Sequence, residues 1–389
     1  MTTRTRLSVL LISTPVLAFI VVGGLLGKAS TGDAEFQHLR VFQDVVSLIM
    51  GKYVEEANVD KVMEGAMRGL ADGLDPDSAY LTSRQVKALD ANEALPPGDV
   101  GVELTRQYYL RVIAARDGSP AAKAGLHTGD YVRAIDGKPT RDLSVFEGLR
   151  LLRGAPGSRV QLTIIRGNAA EPRQIDLVRE KDPGPVVTGK MIPPDVGYVR
   201  VAAFGPGVVD RLKAQVDELS KAGAKSLIVD IRHTAEGAFD TGLDAARLFV
   251  SSGTLAIKAA RDDRGGRETV AAGNGDGAIK LPVTLLVTTG TSGAAELFAA
   301  ALDGNKRADL VGERTLGRAG IQKLVRLPDG RGLWLTYARY LTPAGDAIQG
   351  KGLSPDVEVD EPETDFGDAP PARDAILDAA LDRIHKNAA

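Results

Sequence analysis

The sequence predicts an α/β core, a mixed sheet with flanking helices, with a small β-rich domain inserted ahead of it and a helical segment at the amino terminus. Three observations predict it. In the carboxy-terminal half, apolar runs at 226–231 and 283–287 alternate with helical-period stretches, the pattern of α/β layering. After Pro96-Pro97-Gly98, short strands follow one another between glycine turns. Nearer the start, Val41, Val45, Leu48 and Ile49 recur at helical spacing.

The 389 residues are enough for two or three folded units, and 43% hydrophobic with 25% charged residues is the composition of a globular protein. A formal net charge of -3 without a basic patch argues against nucleic acid as a main partner. With no cysteine in the chain, disulfides, thiolate catalysis and cysteine-zinc sites are excluded together. His38, His127, His233 and His385 do not stand at ligand spacing, so neither a metal nor a cofactor is expected.

Residues 1–30 form the first element. Arg4 and Arg6 precede an uncharged run at 7–27, long enough to span a bilayer, and positive charge before it leaves the remainder outside the cytoplasm. Lys28-Ala29-Ser30 makes a poor cleavage site. A retained signal anchor is therefore preferred over a removed signal peptide, with the chain on the periplasmic side of an inner membrane.

Residues 31–95 read as a helical segment for packing or oligomerisation, with a second periodic run at Val62, Ala66, Gly69 and Leu70. Asp75-Pro76-Asp77-Ser78 marks a turn, and Ser83 is placed to cap a short helix from Arg84. In residues 96–183, Ser119 and Pro120 suit the start of a short helix, Gly125 its end, and Asp136-Gly137 a hairpin turn. A second helix is expected from Ser144 to Arg153, with Val145, Leu149 and Leu152 on one face. Residues 184–366 carry the α/β alternation, with a loop at 271–277 and a helix from Ala294 to Leu302. Residues 367–389 end in a periodic segment, 375–384, expected to dock as a terminal helix.

Several stretches then carry a resemblance. The order Val100-Gly101-Val102-Glu103-Leu104, Ser119-Pro120-Ala121-Ala122-Lys123-Ala124-Gly125-Leu126 and Gly129-Asp130-Tyr131-Val132 resembles a PDZ domain of bacterial proteases. The runs Leu74-Asp75-Pro76-Asp77-Ser78-Ala79-Tyr80-Leu81, Val311-Gly312-Glu313-Arg314-Thr315-Leu316-Gly317, Ala338-Arg339-Tyr340-Leu341-Thr342-Pro343 and Ile348-Gln349-Gly350-Lys351-Gly352-Leu353-Ser354-Pro355-Asp356 are similar to carboxy-terminal processing, or tail-specific, serine proteases. The resemblance covers nearly everything after the anchor. It implies a ClpP/crotonase-like core and a serine nucleophile activated by a lysine that burial keeps neutral.

The same resemblance shows where the chain departs from that chemistry. Aligned on Glu296, the run Thr291-Ser292-Gly293-Ala294-Ala295-Glu296 puts Gly293 at the nucleophile. Leu316-Gly317-Arg318-Ala319 puts Arg318 at the base, and arginine is not deprotonated in proteins. Gln322 matches the accessory glutamine. The oxyanion loop reads Asp230-Ile231-Arg232-His233-Thr234-Ala235-Glu236-Gly237, so Thr234 and Glu236 stand where the family has Asn and Gly, and Gly237 is kept. A carboxylate there repels a developing oxyanion.

The expectation is a pseudoprotease that binds protein carboxy-terminal tails, with Gly98, Asp99, Val100, Gly101 and Val102 as the peptide-binding loop by resemblance, and Arg318 as a further cation for a terminal carboxylate. Two alternatives stand beside it. One is an active peptidase using Ser292, a residue otherwise read with Thr291 as helix-capping, with Lys323 or Lys306 as base. The other is a regulatory partner of an active relative, assembling through the helical segment as a homo-oligomer or with that protease.

Overall fold

The computed structural model describes residues 32–167, 171–181, 187–261, 266–362, 364–366 and 371–388. The expected membrane-spanning run lies outside them; among the described residues no helix is long and apolar enough to cross a membrane. The chain divides into two compact units, Met1–Gly69 and Leu70–Ala389.

The first unit is helical. It holds α1 (Gly32–Lys52) and most of α2 (Val59–Asp72), whose start is capped by the Asn58 Oδ1, which accepts the Lys61 N–H at 2.9 Å. Val41, Val45 and Leu48, the periodic residues of α1, are exposed.

The second unit opens with the Asp75 turn. Asp75 Oδ1 accepts the N–H groups of Asp77 and Ser78 at 2.9 and 2.8 Å. Beyond it, β1 (Ala79–Leu81) is a fully buried strand, a departure from the all-helical reading of 31–95. Then α3 (Ser83–Asp90) is capped by Thr82 in a reciprocal box with Gln85, one residue before the expected cap.

The PDZ unit contains β2 (Gly98–Asp99), β3 (Val102–Gln107), β4 (Tyr109–Ala115), α4 (Pro120–Lys123), β5 (Tyr131–Ile135), β6 (Lys138–Pro139), α5 (Val145–Leu152), β7 (Arg159–Ile165), β8 (Arg173–Val178) and β9 (Glu180–Lys181). Pairing of β2 with β9 ties its two ends together, and the main sheet runs β3-β4-β5-β7-β8. Ser119 caps α4 and Ser144 caps α5 with Glu147. Asp136 and Gly137, at φ 48° and 75°, make the turn between β5 and β6. The strand β3 lies at the sheet's edge.

The core follows with β10 (Val187–Ile192), β11 (Val196–Val201), α6 (Val208–Lys221), β12 (Ser226–Asp230), α7 (Phe239–Arg247), β13 (Thr254–Ala260), β14 (Arg267–Ala271), β15 (Val283–Val287), α8 (Ala294–Gly304), β16 (Ala308–Gly312), β17 (Gly320–Arg326), β18 (Gly332–Leu341), β19 (Val357–Glu358) and α9 (Ala375–Ala388). The main sheet runs β10-β11-β12-β15-β16-β19 and is parallel except for β10 against β11. Its central strands β12 and β15 are buried throughout, as strands covered on both faces must be. One face packs with Leu212 and Phe298 of the helical layer and with Phe249 just after α7, and α9 covers Ile228, Leu286 and Val311 on the other. A second, antiparallel sheet, β1-β18-β13-β14 with β17 on β18, has no counterpart in the sequence reading.

Candidate active site

Between β15 and α8 the chain makes a tight turn, and its side chains are spent on holding that turn. Thr291 Oγ1 donates to the Ile231 carbonyl at 2.9 Å and accepts the Thr288 N–H at 3.0 Å. Ser292 is fully buried, its N–H on the Thr234 carbonyl at 3.0 Å, and its Oγ has no hydrogen-bond partner among the described residues. Neither residue caps α8. The cap is Gly293, at φ 65° and ψ -120°.

That backbone is strained for any residue with a side chain, which is a physical reason for glycine. Space is not the obstacle. A Cβ built at Gly293 meets nothing closer than the Ala235 carbonyl oxygen at 3.6 Å. Sharp strand-to-helix turns of this kind hold a nucleophile clear of the sheet in hydrolases.

Glu296, one turn into α8, binds the two substituted positions together. It is fully buried, and its Oε2 accepts the N–H of Gly293 at 3.1 Å and of Arg318 at 2.7 Å. Its Oε1 accepts the Gly317 N–H at 2.7 Å and the Thr315 hydroxyl. Burial pushes the Glu296 carboxyl up from its usual range, and these four donors act against that rise. In the sequence Glu296 serves only as a landmark. The signal for more is present there: an acid set within the apolar run Ala294–Leu302 must find donors.

Arg318 is half-buried and already ion-paired. Its Nη2 lies 2.9 Å from Asp77 Oδ1, in the turn before β1, and its Nη1 lies 3.5 Å from Glu103 Oε2 on β3. This corrects the expectation of a cation free for a tail carboxylate. Burial pulls its pKa down, but Asp77 and Glu103 more than offset this and raise it. Glu103 responds in turn: burial pushes its carboxyl up to about 7, Arg318 opposes the rise, and Glu236 and Asp99 add to it. About 27% of the Glu103 side chain remains exposed, which moderates the effect.

The loop at 230–237, expected by resemblance to face an oxyanion, is as heavily occupied. Asp230 and Arg232 pair at 2.7 Å, and Arg232 reaches Asp374 ahead of α9 at 2.8 Å, an architectural use of both. Thr234 is buried, its hydroxyl donating to the Val201 carbonyl at 2.7 Å and accepting from Arg200 at 2.9 Å. Glu236 turns toward the PDZ unit, where Arg116 meets it at 3.0 Å. Gly237 has φ 138°, and a Cβ there would lie 2.4 Å from the Phe204 carbonyl oxygen, so glycine is required.

Other candidates fall outside this cluster. Gln322 donates to the Gly320 carbonyl and to Thr336 Oγ1, both at 3.1 Å. Lys306 is exposed, and so is Lys323, whose Nζ sits 4.4 Å from the Tyr337 ring centroid. In the expected peptide-binding loop, Gly98 and Asp99 are paired with Lys181 and Glu180. The amides of Val100 and Gly101 already donate to Asp99 Oδ1, at 2.7 and 3.3 Å, and Asp99 Oδ2 pairs with Arg153 at 3.1 Å. The loop's own aspartate thus occupies the place expected for a peptide carboxylate.

A parallel α/β core with a strained strand-to-helix elbow, and a PDZ unit set beside it, defines a PDZ-bearing serine-type peptidase fold. Comparison with known proteins narrows this. Residues 195–359 match the family described as Peptidase family S41, and residues 111–166 match a PDZ domain. The chain is 30% identical over 346 residues to the carboxy-terminal processing protease CtpA of Bacillus subtilis, covering 87% of this chain and 72% of that protein. It is 31% identical over 346 residues to a carboxyl-terminal-processing protease of Synechocystis, covering 87% and 80%. The solved photosystem II D1 C-terminal processing protease shares 30% identity at a TM-score of 0.67, over 82% of this chain and 92% of that one. The chain belongs to the S41 family of carboxy-terminal processing proteases.

Proposed function

We propose that this family member holds extended protein tails without cutting them. The observation that carries the reading is at Gly293, where the elbow keeps its strained backbone and clear space but offers no nucleophilic atom. Arg318 supports it, being a permanent cation where a neutral amine would have to stand. Ser292 supports the relocated-nucleophile reading poorly, since it is buried and both lysines invoked as its base are exposed.

The tail would add as a strand to the edge of β3 beside α5, its terminal carboxylate displacing Asp99 from the Val100 and Gly101 amides. The positive start and uncharged run at 7–27 support anchoring in a membrane, with the folded units on the extracytoplasmic side. The exposed Val41, Val45 and Leu48 of α1 favour, as a second role, assembly with another copy or an active relative.

Calorimetry with the full-length protein tests tail binding. An unstructured peptide with a free carboxy terminus should bind, and its amidated form should bind at least ~10-fold more weakly, the effect of losing one charge-assisted contact set. Equal heats from both forms, or none from either, would sink the proposal.

A further inference from the structure

We propose that Glu236 and Arg318, two positions where this chain departs from its family's catalytic pattern, form the core half of an ionic clasp that closes the PDZ unit over the cleft. Both reach across to that unit: Glu236 to Arg116 just beyond β4, and Arg318 to Glu103 on β3. A third crossing flanks them, where Arg200 on β11 grips Asp117 through two hydrogen bonds of 2.8 and 2.9 Å.

Between these pairs, Ile113 and Ala114 of β4 pack with Ala235 and Leu316 from the two catalytic loops. The space left between the PDZ strand and the oxyanion loop, lined by Gly101, Val102, Glu103, Ala235 and Glu236, is a cavity of about 10 Å³. That is room for about one water and no peptide.

Chemistry makes the two roles exclusive. A base at position 318 must be neutral to accept a proton, whereas a partner for Glu103 and Asp77 must be charged. A glycine at 236 leaves the oxyanion loop free of charge, whereas Arg116, only 7% exposed in its side chain, requires a compensating carboxylate. Replacing the family residues therefore exchanges hydrolysis for closure at the same two corners.

This inference concerns access to the site proposed above, and its test uses no peptide, so failure of tail binding would leave it standing. Because the chain has no cysteine, Ala114→Cys supplies a single thiol beneath the clasp, at a residue 4% exposed in the closed structure. Full-length Ala114→Cys is alkylated with iodoacetamide at fixed pH, alone and combined with Glu236→Gln, Arg318→Gln or the swap Arg116→Glu with Glu236→Arg. Thermal melts identify folded variants.

The Gln variants should label on the order of tenfold faster, as the uncompensated charge they leave raises the open fraction. The swap should return labelling toward the slow rate. Unchanged labelling in whichever Gln variants fold, or a folded swap no slower than Glu236→Gln, would overturn the clasp.

Discussion

Glu296 Oε2 accepts the N–H groups of Gly293 and Arg318 at once, so one buried carboxylate sets the distance between the two positions where catalysis would reside. Replacing it strands several buried donors. Glu296→Ala should cost on the order of 3–5 kcal/mol, given ~1–3 kcal/mol for each unsatisfied buried group and partial relaxation. A urea melt checks this; a loss below ~1 kcal/mol would show that the amides find other acceptors.

Gly293→Ser introduces a side chain at φ 65° where open space awaits it. The substitution should therefore fold but lose about 1–2 kcal/mol to backbone strain. Alone it should not restore hydrolysis, because Arg318 remains charged beside it. A thermal melt together with a peptide cleavage assay reads both outcomes.

The Glu103 carboxyl gives a pH dependence. Its pKa is raised from the ordinary value of 4.5 to about 7 in the folded state, by burial first, so the folded state binds its proton more tightly than the unfolded chain does. Its contribution to stability is full below 4.5 and is lost as pH rises through about 7. Glu103→Gln, neutral throughout, should show a shallower fall in melting temperature across that window. A parallel fall in both proteins would contradict the assignment.

Trp334 is the sole tryptophan and packs against Phe146 of α5 at 5.9 Å between ring centroids. Phe146→Ala should open that contact, with a red-shifted Trp334 emission and a loss of about 1–3 kcal/mol, less than for a core phenylalanine because Phe146 is only partly buried. Fluorescence-monitored denaturation measures the two together; an unshifted spectrum would place Trp334 outside the contact.

Much of this was legible from local patterns. The caps at Ser119 and Ser144, the Asp136-Gly137 turn and the buried strands at Ser226–Asp230 and Val283–Val287 all rest on residues near one another in the chain. What escaped was long-range. The strand β1 is three residues long and exists because it pairs with Gly332, Leu333 and Trp334 of β18, a register no local period reveals. Arg318 meets Glu103 across 215 residues and Arg116 meets Glu236 across 120, so reading each side alone suggested a free cation and a repelling anion. Asp77 read as turn punctuation because its partner lies in a distant loop. Asp99 shows the opposite failure: its carboxylate turned back on the two following amides, within a loop expected by resemblance to bind a peptide.

The most direct test of the central claim is mass spectrometry of an unstructured peptide with a free carboxy terminus after incubation with the full-length protein. The peptide mass should remain intact at concentrations where calorimetry shows binding. Shortened products that disappear in Ser292→Ala would contradict it.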